Sequence, residues 1–382
     1  MQDFRFLTPK SVVFGPGCSS KLIDDILELG LQRVFIVTAP PIMPSAGIVE
    51  IALKNNGIDV AVYQGVTREP TFGIVDEAVA AAREFGPDGV VAIGGGAVMD
   101  TAKLVAALHN NPCDIMNVLT GNVPKRNTFL ATMPTTAGAG SEVSHGSVLY
   151  DEEAKVKTGV AHHFLMPDAC YIDPLFAVSA PPSVTAGSGF DALSHCIEGY
   201  TGKNAHPIAD VYSLQGIKLI GASLAKAVKC GDDVEARGNM ALGSMFAGKS
   251  LVLVNTNAVH ALAYPVTGRY MVPHGIANAM FLAEAMEYNL PAAPERFAEV
   301  ALALGVQQRA SAMETARHGV EHVRELAREC GLPSGLSALG IPENDLMSMA
   351  EEAVGIERLM KNNLRAMTAS DAADIYRKIY RS

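Results

Sequence analysis

Gly89-Val-Val-Ala-Ile93 runs straight into Gly94-Gly95-Gly96-Ala97-Val98-Met99-Asp100-Thr101-Ala102-Lys103. The first five residues are too few for a helix and lack the alternation of a half-exposed strand. They fit a strand buried on both faces of a parallel sheet. The glycines let backbone N–H groups approach a phosphate, and the helix predicted from about Val98 to His109 adds the favourable charge of its N-terminus. Three glycines also make a plain tight turn, and they are not the Gly-x-Gly-x-x-Gly fingerprint. A second loop, Thr135-Thr136-Ala-Gly138-Ala-Gly140-Ser141, shifts the balance. It follows another predicted strand, Phe129–Met133, and two such loops at strand C-termini can face one crevice.

Upstream, Arg33–Thr38 and Asp59–Tyr63 read as strands, and Ile74–Phe85 has helical spacing. Strands alternating with helices predict a doubly wound α/β domain with a parallel sheet. After about residue 180 the texture changes to long Ala/Leu/Met-rich segments at 207–229, 233–254, 276–289, 294–304, 310–330 and 343–355, separated by Gly and Pro. This predicts an all-α second domain, with the boundary near Pro181-Pro182: 1–182 as the dinucleotide-binding domain and 183–382 as the helical one.

The chain has 382 residues, 49% of them hydrophobic, enough for two domains and a large core. A net charge of −10 with no basic run argues against nucleic acid as a partner. The six cysteines are scattered without a Cys-x-x-Cys pair, the pattern of reduced cytoplasmic thiols. The first residues lack the regions of a signal peptide, and no run of about 20 apolar residues would cross a membrane.

The helical half carries four potential metal ligands. Asp191 and His195, in Gly-Phe-Asp191-Ala-Leu-Ser-His195, are spaced i, i+4 and share one face of a helix. His260 has Tyr264 at i+4, where Pro265 is expected to disturb the helix. His274, between Pro273 and Gly275, is expected at a chain reversal that turns its ring back toward the same ion. Three imidazoles and a carboxylate suit Fe²⁺ or Zn²⁺ better than Ca²⁺ or Mg²⁺. Any one of these histidines alone reads more simply as a satisfied polar residue. His162-His163 are adjacent and so point to opposite faces of a strand, which favours a loop.

Together these motifs resemble the iron-containing alcohol dehydrogenase family. The matching elements are Gly94–Lys103, Pro134–Glu142, Asp191-Ala-Leu-Ser-His195-Cys-Ile-Glu198-Gly-Tyr200 and His260-Ala-Leu-Ala…Pro273-His274-Gly275, in an order that covers nearly the whole chain from Val13. The resemblance implies an N-terminal dinucleotide-binding domain, a helical metal-binding domain, a cleft between them, and a homodimer or higher homo-oligomer. Carried over by position, it implies Asp191, His195, His260 and His274 as ligands, with Fe²⁺ ahead of Zn²⁺. Gly95, Gly96, Ala97 and Asp100 would lie at the pyrophosphate and nicotinamide of NAD(P), Thr135, Thr136 and Ser141 would line the cofactor, and Lys157 would reach its ribose. The implied chemistry is hydride transfer between the nicotinamide and a small alcohol or aldehyde, with the metal acting as a Lewis acid.

Three departures from the family pattern bear on specificity. Tyr264 stands where many relatives have a second histidine thought to move the alcohol proton; a phenol, with a reference pKa of about 10, relays protons less readily near neutrality. Ala39 stands where many NAD-using relatives carry an aspartate that binds the ribose 2′-OH, so NADP(H) is not repelled. Lys249 stands where relatives acting on simple alcohols have apolar residues, and resembles the branch that handles anionic aldehydes; a lysine there would hold a carboxylate, sulfonate or phosphonate. It reads equally as a surface lysine, and Arg269 is a second, weaker anion-binding residue. Two other functions fit the motifs less well: a dehydroquinate-synthase-like lyase of the same fold, which needs more basic pocket residues, and a metal-stabilised structural protein.

Overall fold

The computed structural model of the chain describes residues 4–154 and 156–381. It divides into two compact units. One takes the chain through Thr136 together with Gly140–Ser179, and the other takes Ala137–Ala139 together with Ala180 onward. The main division falls just ahead of Pro182, and residues 137–139, expected in the first unit, cluster with the second.

The first unit contains strands β1 (Ser11–Phe14), β2 (Arg33–Val37), β3 (Asp59–Tyr63), β4 (Gly89–Gly94), β5 (Phe129–Pro134), β6 (Gly146–Asp151), β7 (Val156–Ala161) and β8 (Ala169–Ile172). Its helices are α1 (Ser20–Glu28), α2 (Met43–Asn55), α3 (Phe72–Phe85), α4 (Gly96–Leu108) and α5 (Ile115–Leu119). Six strands form one sheet in the order β1-β8-β5-β4-β2-β3, with every pair parallel. Every residue of β4 is buried, as its uninterrupted apolar run requires. From β2 the chain crosses to β3 on one side, and from β4 it crosses to β5 on the other. The ends of β2 and β4 therefore flank the switch point at which open α/β sheets bind ligands. Thr38, just past β2, ties the two ends together by donating from Oγ1 to the carbonyl of Ile93 at 2.8 Å.

Strands β6 and β7 form a separate antiparallel hairpin that the sequence pattern did not reveal. It is clamped to α4 by charge. The fully buried Lys103 ammonium donates to the Gly146 carbonyl at 2.6 Å, to Ser141 Oγ at 2.5 Å and to Ser144 Oγ at 3.2 Å, and lies 3.4 Å from Asp100 Oδ1. Asp100 in turn accepts from Ser141 Oγ at 2.6 Å and from the Val148 amide at 2.9 Å. Burial pulls the Lys103 pKa down, and Asp100 and Glu142 oppose that pull.

The second unit consists of α6 (Pro182–Thr201), α7 (Pro207–Lys229), α8 (Val234–Val254), α9 (Ala258–Tyr270), α10 (His274–Asn289), α11 (Pro294–Ala303), α12 (Ala312–Glu329), α13 (Leu346–Gly355), α14 (Glu357–Met360) and α15 (Ala369–Tyr380). Its described residues contain no strand. Helix α6 is buried along nearly its whole length from Thr185 to Thr201 and forms the centre of the core with Phe281 and Tyr376. Pro265 does not interrupt its helix: α9 runs through it to Tyr270. An interior proline removes one N–H bond and crowds the carbonyl four residues back, and burial of its neighbours Ala263 and Val266 offsets that cost. No helix among the described residues is long and apolar enough to cross a membrane.

Lys103→Met would leave the Asp100 carboxylate buried without its cation, a loss of about 3 kcal/mol. The expected outcome is an earlier urea midpoint for the nucleotide-binding unit, read by far-UV circular dichroism. An unmoved midpoint would show that the lysine does not hold the hairpin.

Candidate metal and nucleotide sites

At the switch point, Gly95 is the N-cap of α4 and Gly96 its first residue, and no side chain caps the helix. Its first amides stay available for an anion. A Cβ on Gly95 would lie 3.1 Å from Thr136 Oγ1, so glycine keeps the space between the two loops open. Thr135 Oγ1 is buried with no hydrogen-bond partner, an orphan that a polar ligand atom would satisfy. Ala39 and Ala97 both flank these ends and are partly buried. These features fit a dinucleotide phosphate. The Asp100 carboxylate is engaged by Ser141, Val148 and Lys103, which ties Asp100 and Ser141 to each other across the two loops. Lys157 pairs with Glu69 at 2.9 Å.

In the helical unit the structure gathers three of the expected ligands, Asp191, His195 and His260, within 4.8 Å of one another, and sets the fourth, His274, beside Asp191. Asp191 Oδ1 lies 3.9 Å from His195 Nε2, 3.7 Å from His260 Nε2 and 3.8 Å from His274 Nε2. The His195 and His260 Nε2 atoms are 3.0 Å apart, and their rings stack at 4.6 Å. Asp191 and His195 present themselves from one face of α6, His260 comes from the first turn of α9, and His274 opens α10 after the reversal at Met271–Pro273. That last approach depends on Gly275, where a Cβ would meet the Gly187 carbonyl oxygen at 2.1 Å. Backbone contact with α6 is what draws His274 toward Asp191.

The set is short of positive charge. Burial opposes ionisation of Asp191, but His195, His260 and His274 outweigh it and hold its carboxyl well below the usual range. Burial also opposes charging His260, yet Glu198 and Asp191 carry its pKa up to about 10, whereas burial keeps His195 below its ordinary value. Two imidazole nitrogens at 3.0 Å beside a buried carboxylate form a donor set that a divalent cation of the Fe²⁺ or Zn²⁺ kind would satisfy.

The comparisons with known proteins agree with this geometry. Residues 9–174 match the family model described as iron-containing alcohol dehydrogenase, and residues 185–380 match that of the C-terminal part of the Fe-containing alcohol dehydrogenase family. The chain belongs to the iron-containing alcohol dehydrogenase family. Long-chain-alcohol dehydrogenase 1 of Geobacillus thermodenitrificans is 35% identical over 98% of this chain and 96% of its own length. The crystal structure of a 1,3-propanediol oxidoreductase superposes with a TM-score of 0.94 at 31% identity, covering 99% of this chain and 100% of that one. Sulfoacetaldehyde reductase from Bifidobacterium kashiwanohense, solved with NAD⁺, superposes at 0.91 with 26% identity and full coverage of both chains. The protein is thus an alcohol dehydrogenase or aldehyde reductase of the metal-dependent type, and the lyase reading is not favoured.

Two residues of this dehydrogenase's site had no role assigned from sequence. Glu198 follows His195 by one turn on α6 and is buried; its carboxylate accepts from His260 Nδ1 and from the amides of Asn257 and Val259 at 2.9 and 2.8 Å. Asn278, one turn after His274 and fully buried, donates from Nδ2 to Asp191 Oδ1 at 2.7 Å, within 3.2 Å of His260 Nε2 and 3.3 Å of His274 Nε2. Their spacing of i, i+3 and i, i+4 from ligands was the available signal.

Tyr264 lies beside this set, its ring 5.7 Å from that of His274. Lys249 is buried within α8, with 8% exposure, which removes the surface-lysine reading. Arg269, the weaker anion-binding residue, is neutralised by Glu352 at 2.7 Å.

Orienting carboxylates around metal-bound histidines contribute about 10- to 100-fold to affinity. Glu198→Gln is expected to weaken Fe²⁺ or Co²⁺ binding by about that factor, measured by chelator competition. Unchanged affinity would show that the hydrogen bond to His260 does not orient the ligand.

Proposed function

We propose that Asp191, His195, His260 and His274 hold the metal, with Fe²⁺ the physiological ion, and that the substrate is a short aldehyde or alcohol bearing an anionic group. The convergence of the three imidazoles on Asp191 Oδ1 at 3.7–3.9 Å supports the first part most directly. A divalent ion there would supply Lewis acidity toward a substrate oxygen. The protein's own residues do the rest. Glu198 fixes the tautomer of His260, Asn278 steadies Asp191, and the buried surroundings exclude water.

On the nucleotide side, the amides at Gly95 and Gly96 and the hydroxyls of Thr135 and Thr136 would cradle the cofactor. Lys157 would approach the ribose, and Asp100 and Ser141 would hold the loop shape. With Ala39 at the end of β2 no carboxylate opposes a 2′-phosphate there, so we propose that both NADH and NADPH are used. Six free thiols support a reduced, cytoplasmic setting, and the family resemblance supports a homo-oligomer.

The anionic substrate is supported by the position of Lys249, which resembles the branch that handles anionic aldehydes, by the likeness to a reductase named for sulfoacetaldehyde, and by the departure at Tyr264. Tyr264, adjacent to His274, would hydrogen-bond substrate rather than relay protons as a histidine does.

The test is anaerobic reconstitution with Fe²⁺, followed by loss of reduced-nicotinamide absorbance with NADH or NADPH, using sulfoacetaldehyde against propionaldehyde. We expect metal-dependent turnover that favours sulfoacetaldehyde and accepts both cofactors. Lys249→Ala should lower the sulfoacetaldehyde preference about tenfold. A preference for propionaldehyde would overturn the anionic substrate, and strict NADH use would overturn the role of Ala39. For Tyr264→Phe we expect a shifted pH–rate profile; kinetics identical to wild type at every pH would remove Tyr264 from the site.

A further inference from the structure

The arginines of the helical unit that lie near carboxylates are paired with them: Arg269 with Glu352 at 2.7 Å, Arg296 with Asp210 at 2.6 Å and Arg324 with Glu284 at 2.7 Å. Arg237, Arg309, Arg317, Arg328 and Arg365 have no ion pair among the described residues, and neither has Arg358, which is set apart from them by its place beside Tyr264. Helix α14, which carries it, is anchored by the fully buried Leu359, and the neighbouring Glu357 is taken by Lys361 at 2.9 Å. Among the described residues Arg358 has no ion pair. It makes one hydrogen bond, from Nη2 to the Tyr264 hydroxyl at 3.2 Å.

That contact places the guanidinium one side chain away from the ligand set, because the Tyr264 ring lies 5.7 Å from the His274 ring. The guanidinium carbon also lies 5.7 Å from the tyrosine centroid, within the reach of about 6 Å for a cation–π contact, so the ring and its hydroxyl both hold the arginine. A guanidinium offers five N–H donors in a planar fork matched to carboxylate, sulfonate and phosphonate oxygens, and here most of them are unengaged.

We infer that Arg358 anchors the anionic group of the substrate, with Tyr264 holding the guanidinium in place through its hydroxyl. Arg358 is then a specificity-determining residue, and the assignment rests on the anionic-substrate reading given above. Arg358 is exposed, so its guanidinium is open to an anion from solvent.

The experiment uses the Fe²⁺-loaded full-length enzyme and reads the ratio of kcat/KM for sulfoacetaldehyde to that for propionaldehyde, with ethanesulfonate as a competing anion. Arg358→Met is expected to lower the ratio at least about tenfold, chiefly through KM for the anionic aldehyde, and to weaken ethanesulfonate inhibition in parallel. Arg358→Lys should restore part of both. If the wild type prefers sulfoacetaldehyde and Arg358→Met keeps that ratio and the inhibition, Arg358 is not the anchor while the anionic reading stands. If the wild type shows neither preference nor inhibition, the anionic reading itself falls and this assignment with it. An equal loss of kcat on both aldehydes, with the ratio intact, would mark Arg358 as merely structural.

Discussion

The helical unit is organised around one buried carboxylate. Glu198 is 1% exposed, and a carboxylate in that position is tolerated only if its oxygens are fully engaged. It is engaged by the first amides of α9 and by the Nδ1 of His260. The interaction with the helix N-terminus fixes where α9 begins relative to α6, and the imidazole contact fixes which nitrogen of His260 faces Asp191. The same group therefore sets both a helix–helix geometry and a ligand tautomer. The third helix arrives by a different device: α10 meets α6 where Gly275 touches Gly187 without side chains between them, and Asn278 then bonds Asp191 from the next turn.

The nucleotide-binding unit uses a comparable solution with the opposite charge. Lys103, with no exposed surface, gathers the second glycine-rich loop, the β6–β7 hairpin and Asp100 around α4. A buried ammonium costs desolvation energy, and its several acceptors offset that cost. The functional consequence is preorganisation. The loops at the ends of β4 and β5 are held in place, with the start of α4 at Gly95 and Gly96 uncapped by any side chain and the Thr135 hydroxyl without a partner.

Net charge says little about which substrate such an enzyme takes. The chain carries −10 overall, yet a local cation at a site is enough for an acidic protein to capture an anion. Charge pairing separates two of the arginines: Arg269 answers to Glu352, and Arg358 answers to a tyrosine. Pairing of this kind depends on tertiary neighbours and cannot be read from the residue type.

The buried run Gly89–Ile93, the glycines after it and the i, i+4 spacing of Asp191 and His195 declared the parallel sheet, the uncapped start of α4 and the shared face of α6, because each of these is local: a strand, a turn and one face of a helix. The helical segments of the second half were legible from their apolar spacing and their Gly/Pro breaks, but α6 was not delimited, since a helix buried on all sides has no polar face to give it a period. The β6–β7 hairpin also escaped notice, being short and held by Asp100 and Lys103 rather than by its own pattern. The continuity of α9 through Pro265, the bond from Glu198 to His260, the bond from Asn278 to Asp191 and the hold of Tyr264 on Arg358 across 94 residues were all decided by packing. Sequence by itself singled out Asp191, His195, His260 and His274 as candidates and gave Glu198 and Asn278 no role. Tertiary structure alone decided which of them meet, because a hydrogen bond or ion pair depends on distance in space and these partners lie on separate helices.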